Sequence, residues 1–222
     1  MKPQSFALLL ILGFALFPGC KSNPAAPSSD QNGNLSNIYP MKVGDSCVYR
    51  QQTFDVNGTS VQDETGTVLI SGEETYQGHH AYHYGILNVP GYALVYWVDS
   101  DLYSFDPNDS TSTPHMVLRY PMNVGESLTL FDSSIGGALR VKETATLVKT
   151  GQPISTPAGN FSCVQFRIVN EYIYPQNIVD TNSVSDKFYA DGVGLVLGRD
   201  YQYASSAHYL DGTFELQSFS LK

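Results

Sequence analysis

Three histidines, His79, His80 and His83, form the one imidazole cluster in this 222-residue chain. On an extended strand His79 and His83 share a face, but four residues of strand separate them by about 13 Å, too far to meet on one metal ion. No cysteine or carboxylate spacing completes a tetrahedral set, and His115 and His208 stand alone. Acidic residues gather at Asp63-Glu64, Asp99-Ser100-Asp101 and Asp106 to Asp109, yet none of these runs has the glycine and closing glutamate of a calcium loop, so they read as solvated loops. The sequence contains no Gly-x-Ser-x-Gly elbow, no Ser-x-x-Lys pair and no phosphate-binding loop. The expectation is a protein that is not an enzyme and uses no metal or cofactor.

The remaining chemistry is aromatic. Tyr82, Tyr84, Tyr92, Tyr96, Trp97, Tyr103 and Phe105 fall on three successive strand-like segments. They line either a concave surface that receives a lipid, a glycan or a peptide, or an ordinary sheet core. Period-two alternation puts Tyr82 and Tyr84 on one face of their strand, Tyr92 and Tyr96 on one face of the next, and Trp97 opposite the latter pair. Trp97 is therefore expected in the core, and Tyr82, Tyr84, Tyr92 and Tyr96 are the candidate ligand wall.

The elements behind these residues are β-strands. Tyr is used 15 times and Phe 11, and no long segment carries an apolar stripe at helical period. A formal charge of −9 repels phosphate backbones, which makes nucleic acid an unsuitable partner. Tyr39-Pro40-Met41-Lys42-Val43-Gly44-Asp45-Ser46 returns 81 residues later as Tyr120-Pro121-Met122-Asn123-Val124-Gly125-Glu126-Ser127. A positive φ at Gly44 and Gly125 would make each copy a turn that launches a first strand. Gly78 and Gly159 keep the same 81-residue offset, so residues 39–119 and 120–222 read as two related halves of one domain. Asn57-Gly58 predicts a type I′ hairpin, Pro175 to Ser185 a loop, and Asp211-Gly212 a final hairpin. The fold class is all-β and antiparallel, with about eleven strands in a curved sheet, half-barrel or sandwich.

Lys2 followed by the apolar run Phe6 to Phe17 is too short to span a bilayer comfortably and reads as a secretion signal over residues 1–19. Gly19-Cys20, with a polar tail from Lys21, resembles a bacterial lipoprotein signal. The resemblance implies lipidation of Cys20, a membrane partner through that anchor and, from Lys21 at the second mature position, the outer membrane. Residues 20–38, rich in Ser, Asn, Pro and Ala, form a flexible tether. Cys47 and Cys163 are left either to pair or to remain as two buried thiols.

Val43-Gly44-Asp45-Ser46, Thr156-Pro157-Ala158-Gly159-Asn160-Phe161-Ser162-Cys163 and Tyr189-Ala190-Asp191-Gly192-Val193-Gly194-Leu195-Val196 together resemble a group of uncharacterised secreted lipoproteins of Gram-negative bacteria. The strand-rich architecture behind a lipidation signal is also similar to the curved sheets of the LolA and LolB lipoprotein-sorting proteins. The resulting expectation is a lipid-anchored envelope protein, facing periplasm or cell surface, that binds an apolar, sugar-like or peptide ligand. The alternative is an assembly subunit of an envelope complex with no small ligand.

Overall fold

A computed structural model describes residues 38–39, 41–135, 139–204 and 207–220. Its strands are β1 (Ser46–Phe54), β2 (Ser60–Tyr76), β3 (His79–Ile86), β4 (Ala93–Val98), β5 (Asp101–Phe105), β6 (His115–Arg119), β7 (Ser127–Ile135), β8 (Leu139–Thr156), β9 (Gly159–Tyr174), β10 (Ile178–Ala190), β11 (Gly194–Ala204) and β12 (Ala207–Ser220). All are antiparallel members of one nearly closed, barrel-like sheet in the order β6-β5-β4-β3-β2-β1-β12-β11-β10-β9-β8-β7. The chain thus makes two six-stranded meanders and joins them by pairing β1 with β12. The strands β6 and β7 are the two edges.

The all-β, curved architecture expected from the sequence is the one observed, with twelve strands in place of about eleven. Three local expectations are corrected. Of the loop expected over residues 175–185, a single 3₁₀ turn, Pro175–Asn177, is the only departure from strand, and β10 begins at Ile178. Asp211-Gly212 lies inside β12, where Gly212 faces Thr53 and Asp200. A Cβ there would come within 3.3 Å of the Gln52 carbonyl, so the glycine serves close strand approach and not chain reversal. Asn57-Gly58 is not the tight I′ turn, which needs positive φ at both residues, because only Gly58 has it (φ 79°). Asp55 holds a wider turn by accepting the amides of Asn57 and Thr59.

The two Gly-containing turns make the same bonds. Gly44 donates its amide to the Ile70 carbonyl and the amide of Ile70 returns a bond to Asp45; Gly125 donates to Leu147 and Leu147 returns a bond to Glu126. Both glycines have positive φ, 93° and 87°. Each turn therefore pins the start of its first strand to the middle of the next.

Inside the barrel the walls meet through large side chains. Tyr39 touches both Trp97 of β4 and Tyr189 of β10, Phe166 packs edge-on against Tyr189, and the Tyr49 hydroxyl donates to the Leu195 carbonyl at 2.9 Å. Ile38, at the end of the expected tether, is already part of this core. Burying a ring such as Phe166 contributes about 1.5–3 kcal/mol. Both edge strands are held by Arg-Asp pairs, Arg119 with Asp101 on β6 and Arg140 with Asp132 on β7.

Neither possibility for the cysteines holds: Cys163 is a free, buried thiol whose pKa burial pushes up to about 12, so it does not pair with Cys47, and Cys47 is itself not a free thiol. Cys20 lies outside the described residues, as do the expected signal segment and the tether before Ile38.

The barrel has one low wall and one tall wall. The strands β3 to β6 are 5 to 8 residues long, whereas β1, β2 and β7 to β12 run for 9 to 18. The tall strands thus continue past the apolar core at the end opposite the Gly44 and Gly125 turns.

Candidate functional site

The four candidate tyrosines do not form one surface. In an antiparallel pair directly opposed residues share a face, and here Tyr82 opposes Val95 and Tyr84 opposes Ala93. Tyr82 and Tyr84 therefore point inward with Ala93, Val95 and Trp97, and all five belong to or pack on the main core. Tyr96 opposes Ala81 and points outward, where Leu94, Phe105 and Ala81 form a second, smaller cluster packed by Tyr76, Tyr92 and Tyr103. Tyr92, just before β4, stacks on His83 at 4.1 Å, and Tyr96 stacks on His79 and Tyr103. Trp97 faces the core, on the side away from Tyr96. His79 and His83 share the outer face but are engaged by different tyrosines, and among the described residues no group of three or more His, Cys, Asp or Glu is arranged to hold a metal.

A different constellation lies inside the barrel, on the tall wall. Register places Lys187 opposite Phe166 and Gly198, two residues from Tyr189 on the same face, so it points inward. It is 7% exposed, and its Nζ donates to Asp200 at 2.9 Å. The hydroxyl of Ser185 donates to the same carboxylate oxygen at 2.6 Å. Gly198 makes room for the lysine: a Cβ there would sit 3.2 Å from Nζ and 3.4 Å from Phe214. An inward lysine on a sheet wall is costly to desolvate, and two partners on Asp200 satisfy part of that cost.

Beside this pair, Glu143 of β8 lies directly across from Asn170 of β9. Burial raises the Glu143 pKa, with the charge of Lys187 acting the other way. The Asn170 Oδ1 is shut off from solvent with no donor. Along β12, Asp211 accepts from Gln202 at 3.0 Å, and its pKa is raised by burial and then by Asp200 nearby. The inner face of the tall wall thus combines a fixed ammonium, carboxylates, a hydroxyl and amides, the group types that bind a hydroxyl-rich molecule.

This cluster is absent from the sequence reading, although one signal marks it. On β8 the alternation Leu139, Val141, Ala145, Leu147 skips position 143, and on β9 the alternation Val164, Phe166, Ile168, Tyr172 skips position 170. The two polar interruptions, Glu143 and Asn170, are opposite each other in the sheet. The contributions of Lys187 and Asp200 follow from bulge-dependent register and carry no such mark.

No protein-family model and no curated protein matches the chain. Among solved structures it is similar to an exported protein of Bacteroides fragilis described as having a YmcC-like fold, at 14% identity and a TM-score of 0.50, over 83% of this chain and 99% of that one. It is equally similar to a lipoprotein of Parabacteroides distasonis, at 17% identity and a TM-score of 0.50, over 83% and 98%. At these identities the likeness establishes a shared fold over nearly the whole length of both neighbours.

Proposed function

We propose that this protein is a non-enzymatic, lipid-anchored component of the bacterial cell envelope that receives a polar, sugar-like ligand against the inner face of its tall wall. The observation that carries the ligand class is Lys187, buried within the barrel and held by Asp200 beside Glu143 and Asn170. An apolar ligand would desolvate these groups and leave the Asn170 Oδ1 without a donor, whereas a polyhydroxyl ligand supplies both donors and acceptors. The anchor and the outer-membrane address rest on Cys20 and Lys21 in the sequence and on the exported character of the two neighbours of like fold.

Titrating the secreted chain with a panel of neutral and acidic oligosaccharides by calorimetry tests the ligand class. The expected result is binding by at least one member that Lys187→Met and Asn170→Leu each weaken tenfold or more. Absence of binding across the panel at millimolar concentration overturns it. One feature favours the second reading, an assembly subunit without a small ligand: the sheet is sealed by hydrogen bonds between β1 and β12, while β6 and β7 end it as two edges open to a partner strand.

A further inference from the structure

We infer that the ligand is a linear oligosaccharide without acidic groups, lying across the strands of the tall wall along one row of inward side chains that runs from Phe131 to Tyr209. That it is a sugar rests on the reading above; its length, its direction and its stacking partner do not. Register builds the row one strand at a time. Phe131 of β7 opposes Glu143 of β8, Glu143 opposes Asn170 of β9, and Asn170 opposes Ser183 of β10. Ser183 then opposes Gln202 of β11, and Gln202 opposes Tyr209 of β12. Directly opposed residues share a face, and this face is the inner one, since Ser183 alternates with Ser185 and Lys187, and Asn170 with Ile168 and Phe166.

Bulges set both ends of the row. The shift between Thr129 and Phe131 aligns Phe131, in place of Leu130, with Glu143, and the shift between Asp200 and Tyr201 aligns Tyr209 with Gln202. Five steps between neighbouring strands, at about 4.8 Å each, make the row about 24 Å long, more than a single sugar ring covers. The flanks are open and the middle is closed: Phe131 is 41% exposed and Gln202 is exposed, whereas the Asn170 Oδ1 is shut off from solvent. An inward ring that stays open offers an apolar face for the C–H face of a sugar, and the polar groups beside it meet the hydroxyls.

The middle of the row selects against the other occupants. Between its aromatic ends stand a carboxyl, two amides and a hydroxyl, spaced one strand apart. The Asn170 Oδ1 needs a donor, which a sugar hydroxyl supplies and a carboxylate does not. The carboxyls of Glu143, Asp200 and Asp211 lie on or beside the row, and the ammonium of Lys187 is already held by Asp200. An acidic chain would meet their repulsion and that of a chain whose formal charge is −9. A peptide strand adds along a sheet edge and runs with the strands, whereas this row crosses them.

The experiment is calorimetry on the secreted chain with cellohexaose, maltohexaose and the N-acetylglucosamine hexamer, each beside its single-ring unit, and with a galacturonate hexamer as the acidic probe. At least one neutral hexamer should bind tenfold or more tightly than its single ring, and the galacturonate hexamer should not bind. Phe131→Ala should weaken the bound hexamer at least tenfold, and Phe131→Tyr, which keeps the ring, should restore it. A circular dichroism melt checks that the variants fold; should Phe131→Ala melt early, Gln202→Ala, at an exposed position near the other end, should weaken the hexamer at least threefold. Equal affinity for hexamer and single ring, undiminished binding in the folded variants, failure of Phe131→Tyr to restore it or binding of the galacturonate hexamer overturns the row and leaves the sugar reading standing. Absence of binding by every sugar overturns both, so the two failures are distinguishable.

Discussion

The two turns that open β1 and β7 are the most alike parts of the molecule, and the walls that rise from them are among the least alike. Gly44 and Gly125 share their φ region and their bonds to the following strand. Yet Tyr39, which precedes the first turn, is fully enclosed between Trp97 and Tyr189, whereas Tyr120, its counterpart, is half-buried against Phe166. The first meander ends in short strands wholly at the level of the core, and the second carries strands of up to 18 residues whose upper inner face is polar. Turn chemistry is local and is the same here although everything around it differs. Strand length and inner-face polarity answer to the opposing wall.

The largest expected effect separates the two tyrosines. Tyr39→Ala should lower unfolding free energy by about 3–5 kcal/mol in denaturant melts, the range for an enclosed aromatic, and Tyr120→Ala by roughly half as much. Equal losses would mean that the two positions are packed alike after all.

The turns themselves should respond equally. Gly125→Val and Gly44→Val each force a branched side chain into positive φ, at a cost of about 1–3 kcal/mol in the same melts. At Gly125 no atom lies within 4 Å of an added Cβ, so the cost there is backbone strain alone. A loss at one turn and none at the other would end the equivalence.

The smallest effect sharpens the contrast between apolar core and polar wall. The Glu143 carboxyl has a raised pKa in the folded chain because burial penalises its charge. The native state then holds a proton more tightly than the unfolded state, so this group's contribution to stability falls as pH climbs from the ordinary glutamate range, about 4.3, through the raised folded value. Glu143→Gln should flatten the dependence of Tm on pH across that window and add no more than about 1 kcal/mol at pH 7. A steeper pH dependence in the variant would show that Glu143 is stabilised as an anion by Lys187.

Strand existence and the two launching turns were legible because their signals are short-range. Proline before a glycine-acid-serine turn, and period-two alternation along Val164, Phe166 and Ile168, act within a few residues. The misplaced final hairpin shows the limit: Asp211-Gly212 has turn composition, but Gly212 is required by the Gln52 carbonyl on a neighbouring strand far away in sequence. The tyrosine wall failed to assemble for a related reason. Alternation within β3 and within β4 was read correctly, but which face of one strand matches which face of the next depends on register, and register set Tyr82 against Val95.

By itself, then, the sequence determined the β class, the net negative charge and the paired turns, all of which depend on composition or on neighbours a few residues apart. Only the tertiary structure decided that β1 closes on β12, that Tyr39 plugs the barrel and that Lys187, Asp200, Glu143 and Asn170 face one another. Those contacts join residues tens to more than a hundred positions apart, and their geometry is set by bulges, strand lengths and the curvature of a sheet closing on itself.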